Sequence, residues 1–201
     1  MKKTLKLFIF SLIIISSFSN FLFGQVEKET IPRIDLNLGI GVFFPQSNYF
    51  QSYYQTKSTF NWNIGTTFGD MNGGAFPWLK FSHTQAKVDT LFQAFTPNDS
   101  LLILRKKQLA FGIEIPLKIT DNNFIIIQSG LSYNLVNESF EKMQADNFGL
   151  ILSLGYRKRF SETFAFSINL TYDYYQKHAF QFKDLSGYLI TTGISLNLAA
   201  D

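Results

Sequence analysis

The stretch Gln108-Leu-Ala-Phe-Gly-Ile-Glu-Ile-Pro-Leu-Lys-Ile119 alternates without a break. Leu109, Phe111, Ile113, Ile115, Leu117 and Ile119 are apolar, while Gln108, Ala110, Gly112, Glu114, Pro116 and Lys118 are small, polar or charged. A period of two marks a β-strand, because successive side chains on a pleated backbone face opposite sides. A helix buries a stripe that returns every three to four residues, and strict alternation does not supply one.

The pattern recurs on both sides of this segment. Upstream it runs through Ile34–Phe44, Phe60–Phe68 and, least regularly, Phe76–Val88; downstream through Ile125–Leu135, Phe148–Arg157, Phe164–Tyr174 and Tyr188–Leu198. Eight segments follow, with no competing helical stripe beyond residue 33. Their connections alternate in length. Long ones (45–58, 89–100, 136–146, 176–184) take turns with short ones (69–74, 120–123, 159–162) rich in turn formers. An even number of antiparallel strands, with short turns at one end and long loops at the other, is the plan of an outer-membrane barrel. The expected fold is all-β: an eight-stranded antiparallel up-and-down transmembrane barrel spanning residues 34–201.

Alternation alone also fits a soluble, lipocalin-like barrel that hides its apolar face around a ligand. The composition of the other face separates the two. A water-facing surface is dense in Lys, Arg, Asp and Glu, yet here that register is mostly Gly, Asn, Ser and Thr. Nine of the 13 glycines lie in it (39, 41, 65, 112, 130, 149, 155, 187, 193). Small residues suit the crowded bore of an eight-strand barrel, and the bulky apolar register suits lipid. Aromatic residues gather at the two strand ends, as amphipathic rings do at both interfaces of a bilayer. Phe43, Phe44, Phe60, Trp62, Tyr133, Phe148, Tyr172, Tyr174 and Tyr188 stand beside the long loops, and Phe68, Phe76, Phe124, Tyr156, Phe160 and Phe164 beside the short turns.

The amino terminus reads as an export signal. Lys2, Lys3 and Lys6 precede a twelve-residue apolar run, Leu7–Phe18, broken only by three serines, and Gly24–Gln25 is a fitting cleavage point. The run is shorter than the ~20 residues a spanning helix needs. The expected organisation is a signal peptide over 1–24, a short periplasmic segment over 25–33, and the barrel. Those three lysines account for the whole formal charge of +3; beyond residue 24 the 15 acids meet 15 bases. A nucleic-acid binder keeps a basic footprint, and this chain keeps none. With no cysteine there is no disulfide, thiol nucleophile or lipoprotein anchor.

The run Leu109-Ala-Phe-Gly-Ile-Glu-Ile-Pro-Leu-Lys118 resembles the "L-E-I-P-L" strand of the PorT-like outer-membrane β-barrel family of Bacteroidetes. The Gly24–Gln25 signal end and the Phe/Asn/Lys-rich usage are similar as well. The resemblance implies an outer-membrane barrel in a Gram-negative bacterium with a structural or interaction role, some relatives being linked to secretion machinery. One departure is the ending Leu196-Asn-Leu-Ala-Ala-Asp201, where many such barrels offer assembly machinery a terminal aromatic residue.

The chemistry expected inside is a lumen charge network of Asp35, Lys80, Lys106, Glu114, Lys118, Arg157 and Asp173, since ions in a closed bore must pair. That network reads first as a structural plug and second as a narrow ion path. A lipid-A-modifying enzyme ranks lower. Only two histidines exist, His83 and His178, and Ser82 and His83 point to opposite faces of one strand. No catalytic residue, metal site or cofactor is expected. The loops offer a contact surface of Tyr49, Phe50, Tyr53, Tyr54, Phe92, Phe95, Phe180 and Phe182, suited to lipopolysaccharide or to a protein or glycan partner. Leu101–Leu104 further suggests that the third and fourth strands extend beyond the bilayer as a hairpin able to pair with a partner strand.

Overall fold

A computed structural model describes residues 32–47, 57–70, 74–87, 103–138, 144–175 and 185–198. The signal peptide, most of the 25–33 segment, His178 and all eight loop aromatics lie outside the described residues.

Eight strands account for nearly all of the rest: β1 (Pro32–Pro45), β2 (Thr59–Asp70), β3 (Phe76–Lys87), β4 (Ile103–Thr120), β5 (Asn123–Glu138), β6 (Gln144–Arg159), β7 (Phe164–Tyr175) and β8 (Gly187–Asn197). Each pairs antiparallel with its neighbours in sequence, and β8 closes on β1. Closure satisfies every sheet edge, which a span through hydrocarbon requires.

The register sets the shape. Directly opposed residues lead from Asp35 through Thr67, Trp78, Gly112, Gly130, Ile151, Asp173 and Gly187 back to β1 at Pro45, ten residues beyond the start. Eight strands with that stagger tilt by roughly 40° and enclose a bore that side chains fill.

The apolar register faces outward. Ile40, Phe60, Leu109, Phe111, Phe148, Leu152, Leu154 and Leu170 are all exposed, whereas Asn61, Gln108, Glu114, Asn134, Thr171 and Ser195 are buried. The irregular β3 obeys the same rule, with Trp78, Ser82 and Thr84 inward and Leu79 outward. Tyrosines mark both ends of the outer face: the Tyr133 hydroxyl donates to Asp146 at 2.7 Å beside the long loops, and the Tyr156 hydroxyl to Asn123 at 2.5 Å beside the short turns.

Glycine makes room where the bore is tightest. Gly112 and Gly130 are partners on β4 and β5, in one row with Trp78. A Cβ on Gly130 would sit 2.7 Å from Cζ2 of the indole and 2.3 Å from the Phe111 carbonyl oxygen. The bare backbone is the bed on which the ring lies.

Three aromatic assignments change. Phe43 is only 4% exposed and points into the lumen, because Val42 and Phe44 on either side take the outward positions. Phe76 and Phe124 share the inward faces of Trp78 and Ile126. The third long connection also shrinks, since β5 runs to Glu138 and β6 begins at Gln144. At the proposed hairpin, β4 starts at Ile103 opposite Lys87, and residues 88–102 lie outside the described ones. Leu104 faces inward.

Candidate functional site

The lumen gathers six of the seven expected charges, five in two layers and Lys80 between them. In the layer toward the long loops, the Lys106 ammonium donates to Asp173. Gln108 Nε2 reaches the same carboxylate at 2.8 Å and the Asn134 amide oxygen at 2.9 Å, while its own oxygen accepts from Ser82 at 3.0 Å. Phe43 and Tyr175 stand over the ammonium, with ring centroids at 5.2 and 5.6 Å. Burying an ammonium costs several kcal/mol, which the ion pair and the two ring faces offset.

In the layer toward the short turns, Glu114 is fully buried. Arg157 forks onto it, Nη1 to Oε1 at 2.8 Å and Nη2 to Oε2 at 3.1 Å, and Gln128 donates to Oε2 at 2.7 Å. Asp35 lies 4.0 Å from Arg157 Nη1. Planar guanidinium and carboxylate groups match in this bidentate form, the strongest way to neutralise such a pair. Arg157 comes from β6, Glu114 from β4 and Gln128 from the strand between them, so the cluster exists only in a correctly registered sheet.

Between the layers an internal cavity of about 50 Å³ is walled by Lys80, Trp78, Arg157, Asn37, Gln128 and Thr171. That is room for a few water molecules among polar walls. Lys80 lies over the Trp78 ring at 5.3 Å. Trp78 Nε1 and Arg157 Nε, both buried, have no hydrogen-bond partner among the described residues. Asp35, Glu114 and Asp173 match Lys80, Lys106 and Arg157 in number, so the body of the lumen is neutral. Apolar side chains fill further space, with Trp78, Ala110 and Ile151 forming a buried cluster.

Lys118 is the exception and corrects the expectation. It shares the inward register, but it sits at the end of the 18-residue β4, next to a register shift between Lys118 and Thr120. Its side chain is 61% exposed and pairs with Asp121 in the turn at 2.7 Å. Arg159, which the sequence reading missed, occupies the short-turn mouth with Phe124 at 5.0 Å. Its position on Arg157's face, two residues on, was the available signal.

Ser82 and His83 do not converge. Ser82 faces inward and bonds Gln108, while His83 is on the outward register against the Trp62 ring at 5.8 Å. Among the described residues no three His, Asp or Glu side chains gather as metal ligands would.

No family model matches the chain, and no curated protein matches it. Solved structures do. Neisserial surface protein A (NspA) superposes with a TM-score of 0.60 at 9% identity, over 82% of this chain and 96% of that one. OprG of Pseudomonas aeruginosa gives 0.58 at 11% identity, over 88% and 100%. Ail of Yersinia pestis, solved with the heparin analogue sucrose octasulfate, gives 0.52 at 12% identity, over 85% and 100%. Likeness at such identities is a likeness of fold: this chain has the architecture of small outer-membrane barrels.

Proposed function

We propose that the chain is a non-enzymatic outer-membrane barrel of the PorT-like kind, in which the barrel anchors and the loops interact. The observation that carries this reading is the division of the wall. An outward band of mostly apolar, exposed side chains surrounds a lumen filled by paired charges, amides and packed aromatics. An outward apolar band costs solubility in water and stabilises the barrel in lipid. A neutral, occupied bore supports a structural plug rather than a conduit. The four long connections, with Tyr49, Phe50, Tyr53, Tyr54, Phe92, Phe95, Phe180 and Phe182, are left to meet lipopolysaccharide, a protein or a glycan. Export by a signal peptide over 1–24 and insertion by the outer-membrane assembly machinery belong to the same reading.

The chain contains no cysteine, so single cysteines can map its topology in whole Gram-negative cells. Lys57→Cys, near the end of the first long connection, should react with a membrane-impermeant maleimide on intact cells. Glu162→Cys, in a short turn, should react only after lysis. The reverse pattern would overturn the orientation, and labelling of both in intact cells would overturn the membrane location. A steady single-channel current from the purified barrel in a planar bilayer would move the role to transport.

A further inference from the structure

On β4 the outward register changes from apolar to basic toward the long loops. Along β4, Leu109, Phe111, Ile113, Ile115, Leu117 and Ile119 face outward, and toward the long loops the next two outward residues are Lys107 and Arg105, both exposed. His83 pairs directly with Lys107, and Gln85 with Arg105. Direct partners bring Cβ atoms to about 5 Å, and alternate residues on one strand are about 7 Å apart. Two cations and an imidazole therefore share a patch roughly the size of a phosphate and its ester oxygens. Trp62, whose ring meets His83, borders it on one side; Tyr133, the partner of Leu109, borders it on the other.

At the same end of the barrel β1, β2, β7 and β8 present Phe44, Phe60, Tyr174 and Tyr188 outward, and β6 presents Phe148 and Asp146. Asp146 is engaged by the Tyr133 hydroxyl. Among the described residues neither Arg105 nor Lys107 has a carboxylate partner. Cations where an apolar band ends, within and just beyond the aromatic belt, stand at the depth of the headgroups.

We propose that Arg105, Lys107 and His83 form a binding site for a phosphate group of a phosphorylated glycolipid in the outer leaflet. The site rests on the outer-membrane reading above. Arg105 supplies a forked donor, Lys107 a point charge, and His83 a ring N–H. The acyl chains of such a lipid lie down the apolar column of β3 and β4 below the patch.

The test uses the chain refolded into phosphatidylcholine nanodiscs doped with bisphosphorylated lipid A, with retained lipid A counted by native mass spectrometry. The wild type should keep lipid A, and R105Q/K107Q should lose occupancy about tenfold, as expected for the removal of charged hydrogen bonds. K158Q, at the opposite end of the outer face, should match the wild type. Lipid A stripped of its phosphates should be retained no better by the wild type than by R105Q/K107Q. Equal retention of lipid A by wild type and R105Q/K107Q, or undiminished retention of the dephosphorylated lipid, would overturn the site. Displacement of lipid A by millimolar inorganic phosphate would also overturn it, by assigning the site to the free anion. Failure of the outer-membrane reading shows differently, as a chain that never enters the nanodisc.

Discussion

Arg157 holds Glu114 with both terminal nitrogens, at 2.8 and 3.1 Å, across an intervening strand whose Gln128 donates to the same carboxylate. Three neighbouring strands are thereby locked at one register. Glu114→Ala leaves a buried guanidinium with only Asp35 near it, and loss of one member of a buried pair costs about 3–5 kcal/mol. We expect the midpoint of urea unfolding in detergent to fall accordingly, and Glu114→Met with Arg157→Met to recover most of the loss. An unchanged midpoint in the single variant would show that the pair is not a structural plug.

The Trp78 bed gives a second expectation. A methyl group on Gly130 meets the indole at 2.7 Å and a backbone oxygen at 2.3 Å, so Gly130→Ala should cost about 1–3 kcal/mol through overpacking. Gly130→Ala combined with Trp78→Phe should relieve the contact with the indole. Equal stability of wild type and Gly130→Ala would mean that the ring does not lie where the structure has it.

Depth on the outer face should set the cost of charge. Leu152, central on β6, and Leu198, just past the end of β8, are both exposed apolar residues. Leu152→Arg should cost about 2–4 kcal/mol in lipid vesicles and Leu198→Arg about 0–1 kcal/mol. Equal costs would contradict a bilayer around this face.

At the short turn the Lys118 side chain, hydrogen-bonded to Asp121 at 2.7 Å, holds that carboxyl below the usual carboxylate range. A lowered folded value means that the contribution to stability is present above the ordinary carboxylate pKa and fades as pH falls through the lowered one. Lys118→Gln should return the Asp121 carboxyl carbon to ordinary titration in an NMR pH series. Coincident curves would show that the pair does not form in solution.

The strands and their faces were legible because alternation is a local property, visible wherever one face is bulky and the other small. It fails where both neighbours are apolar. Phe43-Phe44 carries no period of two, so the inward turn of Phe43 emerges only from the sheet. The candidate charges were legible one by one, since a lone ion in a small-residue register must lie inside. Their pairing was not. Lys106 meets Asp173 from 67 positions away, a meeting set by a ten-residue stagger around the barrel that no single strand records. Lys118 obeys the alternation yet escapes the lumen, because β4 reaches its turn there. The basic patch at Lys107 and Arg105 stayed hidden for a related reason: its third member, His83, joins only through the pairing of β3 with β4.

The central claim is that the apolar face meets lipid, and the two tryptophans report on it from opposite sides of the wall. Trp62 faces outward on β2, and Trp78 lies inside on β3, 4% exposed. With only two tryptophans in the chain, Trp78→Phe isolates the first and Trp62→Phe the second. Refolded into vesicles of lipids brominated along their acyl chains, the Trp62 reporter should lose most of its fluorescence, while the Trp78 reporter should keep nearly all of it. A Trp62 reporter left as bright as the Trp78 reporter would contradict it, because the apolar face would then lie outside the acyl chains.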